Sequence, residues 1–287
     1  VMTSFTSTKT FVYLKRGALL LGLALLGLNV VGLFIPLQNP DLAKEQGKEI
    51  RNQTIITEQQ FYERAQRHGE SIPDYATQLT DAVNQRLVHY RWEYEKGESY
   101  WRLPVYENYL IYLSRDVLYL IRWANGTLTS PDKMPVFMYE FSDYKKIIKR
   151  GIGLCSQQAM ALVSILQENQ IPSRIVCITQ HTVATAQIDP KTDTWWVLDP
   201  DYGVVIPHNI ETLVADPAMV VPYYQAKGFD EARLDIVVGL YTIPKATFIN
   251  TVAEGHGKAR YYFEFISYYL IWIIPIILIL PTVIFRR

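Results

Sequence analysis

The sequence predicts an α+β protein with a transmembrane helix at each end. Two uncharged apolar runs, 17–36 and 265–285, are each long enough to cross about 30 Å of hydrocarbon as a helix. Between them, segments with helical periodicity come first, and a helix followed by short β-rich runs comes second. Helices and strands that are segregated along the chain in this way are typical of the α+β class.

The composition excludes several kinds of protein. Lys and Arg total 28 and Asp and Glu also total 28, so no basic field exists to bind nucleic acid. With 2 cysteines the chain is not a disulfide-rich scaffold, although a single bridge between Cys155 and Cys177 stays open. We expect no nucleic-acid partner and no cofactor.

The first apolar run favours an uncleaved anchor. Its one polar residue is Asn29, and it follows three basic residues, Lys9, Lys15 and Arg16. A cleaved signal peptide is the alternative, but the run is longer than a usual signal core and no small-x-small cleavage site follows it. The glycines at 17, 22, 27 and 32 recur every fifth residue and so do not form one helical face.

The second apolar run contains no charge, and aromatic residues crowd its N-terminal end as in an interfacial belt. Pro275 and Pro281 are tolerated in a membrane helix. Basic residues precede the first run and also follow the second, as Arg286 and Arg287. The positive-inside rule therefore places both termini in the cytoplasm and 38–260 on the far side of a bacterial cell membrane.

The first half of the intervening region is predicted to be helical. Residues 41–69 are polar and helix-favouring, which is typical of a juxtamembrane stalk. Residues 74–96 carry apolar side chains at 75, 79, 83, 87 and 90, which predicts an amphipathic helix. Residues 106–124 predict a buried core helix rather than a third span, because charges interrupt the apolar pattern. A turn-rich segment at 125–135 follows.

The second half predicts a helix and a small antiparallel sheet. Residues 155–169 place Ala159, Leu162, Val163 and Leu166 on one helical face. Four β-rich runs follow, at 174–179, 181–188, 194–198 and 203–206. Residues 189–193 (DPKTD) form a good hairpin turn between the two middle strands.

Cys155 is the candidate nucleophile. It follows Gly151 and Gly153 and opens the predicted helix, where the positive end of the helix dipole favours a thiolate. The unpaired N–H groups of the first turn can also stabilise an oxyanion. A small buried thiol is the ordinary alternative for such a cysteine.

His181 and Asp199 are its candidate partners. If Ile188 faces Thr194 across the hairpin, paired positions sum to about 382, and Asp199 becomes the diagonal neighbour of His181 on one sheet face. The helix of Cys155 must pack on this sheet, so the three side chains would converge as nucleophile, base and orienting acid. A register slip of one residue would instead place His181 and Asp199 on opposite faces.

These residues resemble the transglutaminase-like superfamily, which has a papain-like Cys-His-Asp core. The resemblance covers about 140–206 and rests on GLCSQQAMALVSILQENQIPSRIV, the histidine before a strand, and WWVLDPDYGV. It implies that Cys155 accepts the acyl group, His181 is the base and Asp199 orients it. Many members follow the histidine with Ala-Trp, whereas this chain has Thr182-Val183. The resemblance therefore does not predict which residues line the substrate pocket.

The apolar runs, their flanking charges and the resemblance together give a domain plan, and the resemblance also implies an activity. The plan divides the chain into a cytoplasmic tail, a first span, a helical stalk and subdomain, a catalytic core and a second span, at 1–16, 17–36, 37–135, 136–260 and 263–285. The expected activity is acyl transfer through a thioester on Cys155 to an amine or to water. Family members take a second oxyanion donor from upstream of the cysteine, and Asn108 and Tyr144 are candidates. The DPDYGV ending resembles members encoded beside bacterial surface-polysaccharide genes.

Other interpretations stay open. A disulfide between Cys155 and Cys177 would abolish the nucleophile. A metal site made from these cysteines and His181 would lack a ligand and the paired spacing that zinc prefers. The domain could instead be a catalytically inactive binding or assembly module, or a cysteine peptidase or amidase. The remaining histidines have no partner that the sequence identifies, and we expect them to be structural or exposed: 68, 89, 208 and 256.

Overall fold

The computed structural model describes residues 3–35, 37, 55–89, 103–114, 139–243 and 245–284. In chain order the helices are α1 (Thr3–Phe34), α2 (Glu58–Ala65), α3 (Ile72–Arg86), α4 (Tyr144–Arg150), α5 (Cys155–Glu168), α6 (Ile210–Ala215), α7 (Val221–Gln225), α8 (Glu231–Tyr241), α9 (Val252–His256) and α10 (Lys258–Ile284). The strands are β1 (Val88–His89), β2 (Ile152–Gly153), β3 (Ser173–Ile178), β4 (His181–Asp189), β5 (Thr194–Asp199), β6 (Val204–Ile206) and β7 (Thr247–Ile249).

The chain divides into two compact units. One contains Val1–Leu37, Glu98–Tyr139 and Tyr262–Arg287, and the other contains Gln38–Gly97 and Glu140–Tyr261. The second unit therefore groups α2 and α3 with the sheet, whereas the sequence-based plan placed them in a separate helical region. The predicted segments at 41–54, 90–96, 115–124 and 125–135 lie outside the described residues.

Two helices are long and apolar enough to cross a membrane, Thr10–Phe34 in the first unit and Lys258–Thr282, which belongs to the first unit from Tyr262 onward. They are compatible with a two-pass membrane protein. Pro275 and Pro281 lie inside α10 without ending it, as predicted. The side-chain amide of Asn29, the polar residue of the first run, donates to the Ile271 carbonyl of α10 at 2.5 Å. The buried polar group of α1 therefore has a hydrogen-bond partner on the neighbouring helix.

The glycines of α1 differ in their surroundings. A Cβ atom at Gly22 would lie 2.9 Å from the Pro275 carbonyl, so only glycine allows α1 to approach α10 this closely. Gly17 and Gly27 have nothing within 4 Å of the same position. The four regularly spaced glycines therefore do not act as one packing face, as predicted.

The second unit is an α+β domain built on a five-stranded sheet in the order β6-β5-β4-β3-β7. Every pairing in it is antiparallel. Helix α5 packs on one face through its apolar side, on which Ala159, Leu162 and Leu166 are fully buried. The opposite face carries a core shared with α6, α7 and α8 that includes Val183 and Tyr224.

Helix α3 was predicted too long. It begins at the side-chain cap of Ser71, and three of its predicted apolar positions, Tyr75, Leu79 and Val83, are fully buried. It ends at Arg86, before the predicted end at 96, because the next backbone pairs as a strand. The Val88 N–H donates to the Gly151 carbonyl, and β1 pairs with β2 in parallel.

Candidate active site

Cys155 is the first residue of α5, as the sequence predicts. Leu154 caps the helix without a side-chain hydrogen bond, so the first-turn N–H groups receive no capping side chain. Gly153 is required by close packing, since a Cβ atom there would lie 2.8 Å from Cβ of Gln157. Gly151 ends α4 in the left-handed region at φ 72°, which glycine adopts without strain. The two glycines thus allow the backbone to place the partly buried thiol of Cys155 at a helix N-terminus.

His181 and Asp199 meet as predicted. His181 opens β4 and Asp199 ends β5, and Nε2 of the ring lies 2.9 Å from Oδ2 of the carboxylate. The register between the strands pairs Ala184 with Leu198, which sums to 382. At the turn, however, Asp189 rather than Ile188 faces Thr194, because a bulge follows Gln187. The predicted register is therefore wrong only at the turn of the hairpin, which is the end away from His181 and Asp199.

Four donors converge on the Asp199 carboxylate, which is fully buried. Oδ2 accepts from the His181 ring and from the Tyr224 hydroxyl at 2.6 Å. Oδ1 accepts from the backbone N–H groups of Asp201 and Tyr202 at 3.0 and 3.3 Å. Burial raises the pKa of Tyr224, so its phenol stays protonated as a donor. These bonds hold Asp199 in one orientation and satisfy a charge that water cannot reach.

The environment of His181 favours the imidazolium. Burial alone lowers its pKa, but the charge and hydrogen bond of Asp199, together with a hydrogen bond to Cys155, outweigh burial and raise the pKa well above its usual range. Because Asp199 occupies Nε2, Nδ1 is the ring nitrogen that remains for the thiol. The thiol of Cys155, the ring of His181 and the carboxylate of Asp199 are therefore linked in series.

No family model, no curated protein and no solved structure matches this chain. The resemblance to transglutaminase-like proteins therefore rests on the order of the motif residues and on the geometry that they adopt.

Aromatic rings enclose the buried side of this site. The Tyr202 ring lies 5.5 Å from the His181 ring, centroid to centroid, and packs edge-on against Phe229 at 5.1 Å. Behind them, the hydroxyl of Tyr224 also lies 3.2 Å from that of Tyr241. This packing keeps water away from the His181–Asp199 hydrogen bond and thereby strengthens it.

Both upstream residues considered as oxyanion donors have other hydrogen-bond partners. The Tyr144 hydroxyl donates to Glu168 at the other end of α5, roughly 20 Å along the helix from Cys155. The side-chain amide of Asn108, which belongs to the other unit, donates to the Ser267 hydroxyl at 2.8 Å. An upstream segment that does contact the first turn of α5 contains Glu140 and Phe141.

That segment is held by the first turn of α5. Phe141 exchanges two hydrogen bonds with the Gln157 side chain, at 3.1 Å through its N–H and 2.8 Å through its carbonyl. The Ser156 hydroxyl donates to the Glu140 carboxylate. A carboxylate therefore lies next to the residue that follows Cys155, where it can attract a cationic acceptor group.

The other cysteine has a different environment. Both cysteines are free, and Cys177 lies half-buried on β3 opposite Thr182. Burial, and to a smaller extent the nearby Cys155, raises the pKa of the Cys177 thiol, which favours its protonated form. Among the described residues, no group of three potential ligands could hold a metal ion.

Sequence reasoning missed a second histidine–aspartate pair. His89 was expected to be structural or exposed, but its Nδ1 lies 2.8 Å from Oδ1 of Asp201. Two other histidines also have surroundings that the sequence did not indicate: His208 lies 3.2 Å from the Tyr223 hydroxyl, and His256 is buried, which lowers its pKa to about 4. The one sequence signal for the second pair was the repeated aspartate in Asp199-Pro200-Asp201.

Proposed function

We propose that this protein is a membrane-anchored, extracytoplasmic cysteine acyltransferase of the transglutaminase-like kind. The observation that carries the proposal is the 2.9 Å bond between His181 and Asp199, in a pair whose histidine also bonds to Cys155. A binding module needs none of these three groups in register. Nucleophilic catalysis needs all of them.

The first half-reaction forms a thioester. The Cys155 thiolate attacks the carbonyl carbon of an ester or amide, and the His181 imidazolium donates its proton to the departing oxygen or nitrogen. The backbone N–H of Cys155, at the start of α5, supplies one donor to the oxyanion. The acyl group then passes to an amine or to water. His181, now neutral, takes up the acceptor's proton as the carbon–sulfur bond breaks and the thiolate is regenerated.

The membrane setting supports an extracytoplasmic substrate. Basic residues flank both apolar helices on their terminal sides, which favours cytoplasmic termini and a catalytic unit on the far face. The DPDYGV segment, which begins at the orienting Asp199, resembles proteins associated with surface polysaccharides. A glycan carrying an acyl or amino substituent is therefore the proposed partner in the cell, and unchanged glycan substituents in a deletion strain would argue against that partner.

Acyl-enzyme trapping tests the activity. The full-length protein in detergent is treated with p-nitrophenyl acetate, and its intact mass is followed with time. We expect one acetyl group, located on Cys155 by peptide mapping, and no acetylation in Cys155→Ala. Cys177→Ala is the matched control and should acetylate as fast as the wild type. Acetylation that persists in Cys155→Ala, or is absent from the wild type, would overturn the proposal.

A further inference from the structure

The Glu140 carboxylate lies beside the first turn of α5. Cys155 and Ser156, the first two residues of that helix, are both partly exposed, and so is Glu140. The Ser156 hydroxyl donates to Oε1 of Glu140. Consecutive Cα atoms are about 3.8 Å apart, and a serine side chain with its hydrogen bond adds roughly 5 Å. One carboxylate oxygen therefore lies at most about 9 Å from the Cα atom of Cys155.

The backbone around Glu140 is anchored on two sides. Phe141, the next residue, exchanges two hydrogen bonds with the Gln157 side chain in the first turn of α5. The Glu140 carbonyl accepts from Nη2 of Arg260 at 3.2 Å and from the ring of His256. The carboxylate is thus presented from a fixed backbone, which a group that selects a substrate requires.

The Glu140 carboxylate has no positive partner within the described ranges of the chain. Its hydrogen bond there comes from Ser156, and no described Lys, Arg or His residue forms an ion pair with it. Arg260 donates to the backbone carbonyl of Glu140 and not to its side chain. The carboxylates of Asp199 and Asp201, by contrast, each bind a histidine. A partly exposed carboxylate without a cationic partner attracts one from solution.

Water competes with an amine for the thioester, so a transferase needs a group that concentrates its acceptor. A fixed negative charge raises the local concentration of cations and favours one orientation of a molecule that carries one. The nitrogen that attacks the acyl carbon must be neutral, because an ammonium group has no lone pair. The charge that Glu140 attracts must then belong to a second group on the same acceptor.

We infer that Glu140 binds a cationic group of the acceptor, and that the acceptor is an amine with a second, positively charged group, as in a diamine. This inference rests on the proposed function. The neutral amine bonds to the acyl carbon and gives its proton to His181. The carbon–sulfur bond breaks with its electron pair on Cys155, and the second ammonium group stays beside Glu140. Glu140 therefore determines specificity and exchanges no proton in this step.

The test compares two acceptors that differ only in the second charge: putrescine, and pentylamine, which has a methyl group in place of one amine. Full-length wild type, Glu140→Gln and Glu168→Gln in detergent are acetylated with p-nitrophenyl acetate and separated from excess reagent. Transfer of the acetyl group to each amine, and its release to water, are then followed by mass spectrometry. Rates are corrected for the reaction of the same amines with S-ethyl thioacetate in solution.

The variants separate the charge of Glu140 from its contact with the helix. Glutamine can still accept the hydrogen bond of Ser156 but carries no charge. Glu168→Gln is the matched control, because that carboxylate accepts from Tyr144 at the other end of α5.

We expect the wild type and Glu168→Gln to prefer putrescine over pentylamine by about fivefold, which is the effect of a partly exposed ion pair. Added salt should weaken this preference, because salt screens exposed charges. Glu140→Gln should lose the preference by reacting more slowly with putrescine alone. Its acetylation and its release to water should stay within about twofold of the wild type, because neither step involves a cationic acceptor.

The same preference in the wild type and in Glu140→Gln, or no preference in the wild type, would overturn the inference and leave the proposed function intact. Slow acetylation or slow release to water in Glu140→Gln would also overturn it, since Glu140 would then serve to assemble the site. A wild type that is not acetylated at Cys155 would defeat the proposed function, and the inference with it.

Discussion

Two aspartates of one short loop, Asp199 and Asp201, each hold a histidine, yet the two pairs are built differently. Asp199 receives four donors, and its partner His181 is buried behind aromatic rings with a bond to the thiol. Asp201 receives His89 and Gln158, and His89 is partly open to solvent. The difference indicates that enclosure suits a proton donor held as a cation.

The largest expected effect comes from exchanging each carboxylate for its amide. Asp199→Asn removes the charge that keeps His181 protonated, so acetylation of Cys155 should fall on the order of 10²- to 10⁴-fold. Asp201→Asn should change acetylation by less than about tenfold, because Asp201 bonds to His89 and acts on the pKa of His181 only through its charge, which is the smallest of the causes that raise it. Stopped-flow measurement of p-nitrophenol release gives both rates. Equal losses in the two variants would show that the aspartates act as one unit.

A smaller effect is expected from the hydroxyl that supports Asp199. Tyr224→Phe removes the 2.6 Å hydrogen bond to Oδ2, which is worth about 1–3 kcal/mol for a bond to a charged group, and acetylation should slow about tenfold. Tyr241→Phe is the matched control, because its hydroxyl contacts Tyr224 and not the carboxylate. The measurement is the acetylation rate of each variant. If Tyr241→Phe is acetylated more slowly than Tyr224→Phe, core packing and not the hydrogen bond to Asp199 sets the rate.

The stability of the folded protein should depend on pH because of the His181–Asp199 pair. The folded-state pKa of His181 lies above its unfolded value, so its contribution to stability is fully present below the unfolded pKa and is lost as pH rises through the folded pKa. The melting temperature of the wild type should therefore fall toward that of His181→Gln as the solution is made alkaline. A difference between the two proteins that grows with pH would contradict the assigned direction of the shift.

The smallest effect is expected at the second cysteine. Cys177→Ala removes a half-buried thiol whose pKa is raised by burial, and thiol labelling of Cys155 should change by less than about twofold. Peptide mapping after labelling assigns the modified residue. Loss of labelling at Cys155 in this variant would show that the two thiols act together.

Local sequence patterns predicted four strands of the sheet and one of the two histidine–aspartate pairs. The four predicted strands lie within one residue of their predicted ends, whereas β7, at the edge of the same sheet, was not predicted. The register that joins His181 to Asp199 follows from alternation along a hairpin. The contacts that were missed are remote in sequence. Asp201 meets His89 across 112 positions, and no local periodicity reports such a pair. Tyr224, 25 positions after Asp199, lies on a helix that the sequence analysis did not identify.

The end of α3 also depends on a contact that is remote in sequence. Apolar spacing continues past Arg86 through Leu87, so periodicity alone extends the helix. The backbone instead bonds to Gly151 and the segment before Cys155, because pairing of β1 with β2 is available only once the chain has folded. That tertiary contact is also what places His89 near the nucleophile.

The most direct test of the central claim is the pH dependence of Cys155 alkylation by iodoacetamide in the full-length, detergent-solubilised protein. The account predicts that Cys155 reacts rapidly at and below neutral pH, and that His181→Ala reacts at a comparable rate only in alkaline solution. If Cys155 reacts no faster than Cys177 near neutral pH, or if its profile is the same in His181→Ala, the two residues do not form a thiolate–imidazolium pair and the proposed chemistry is wrong.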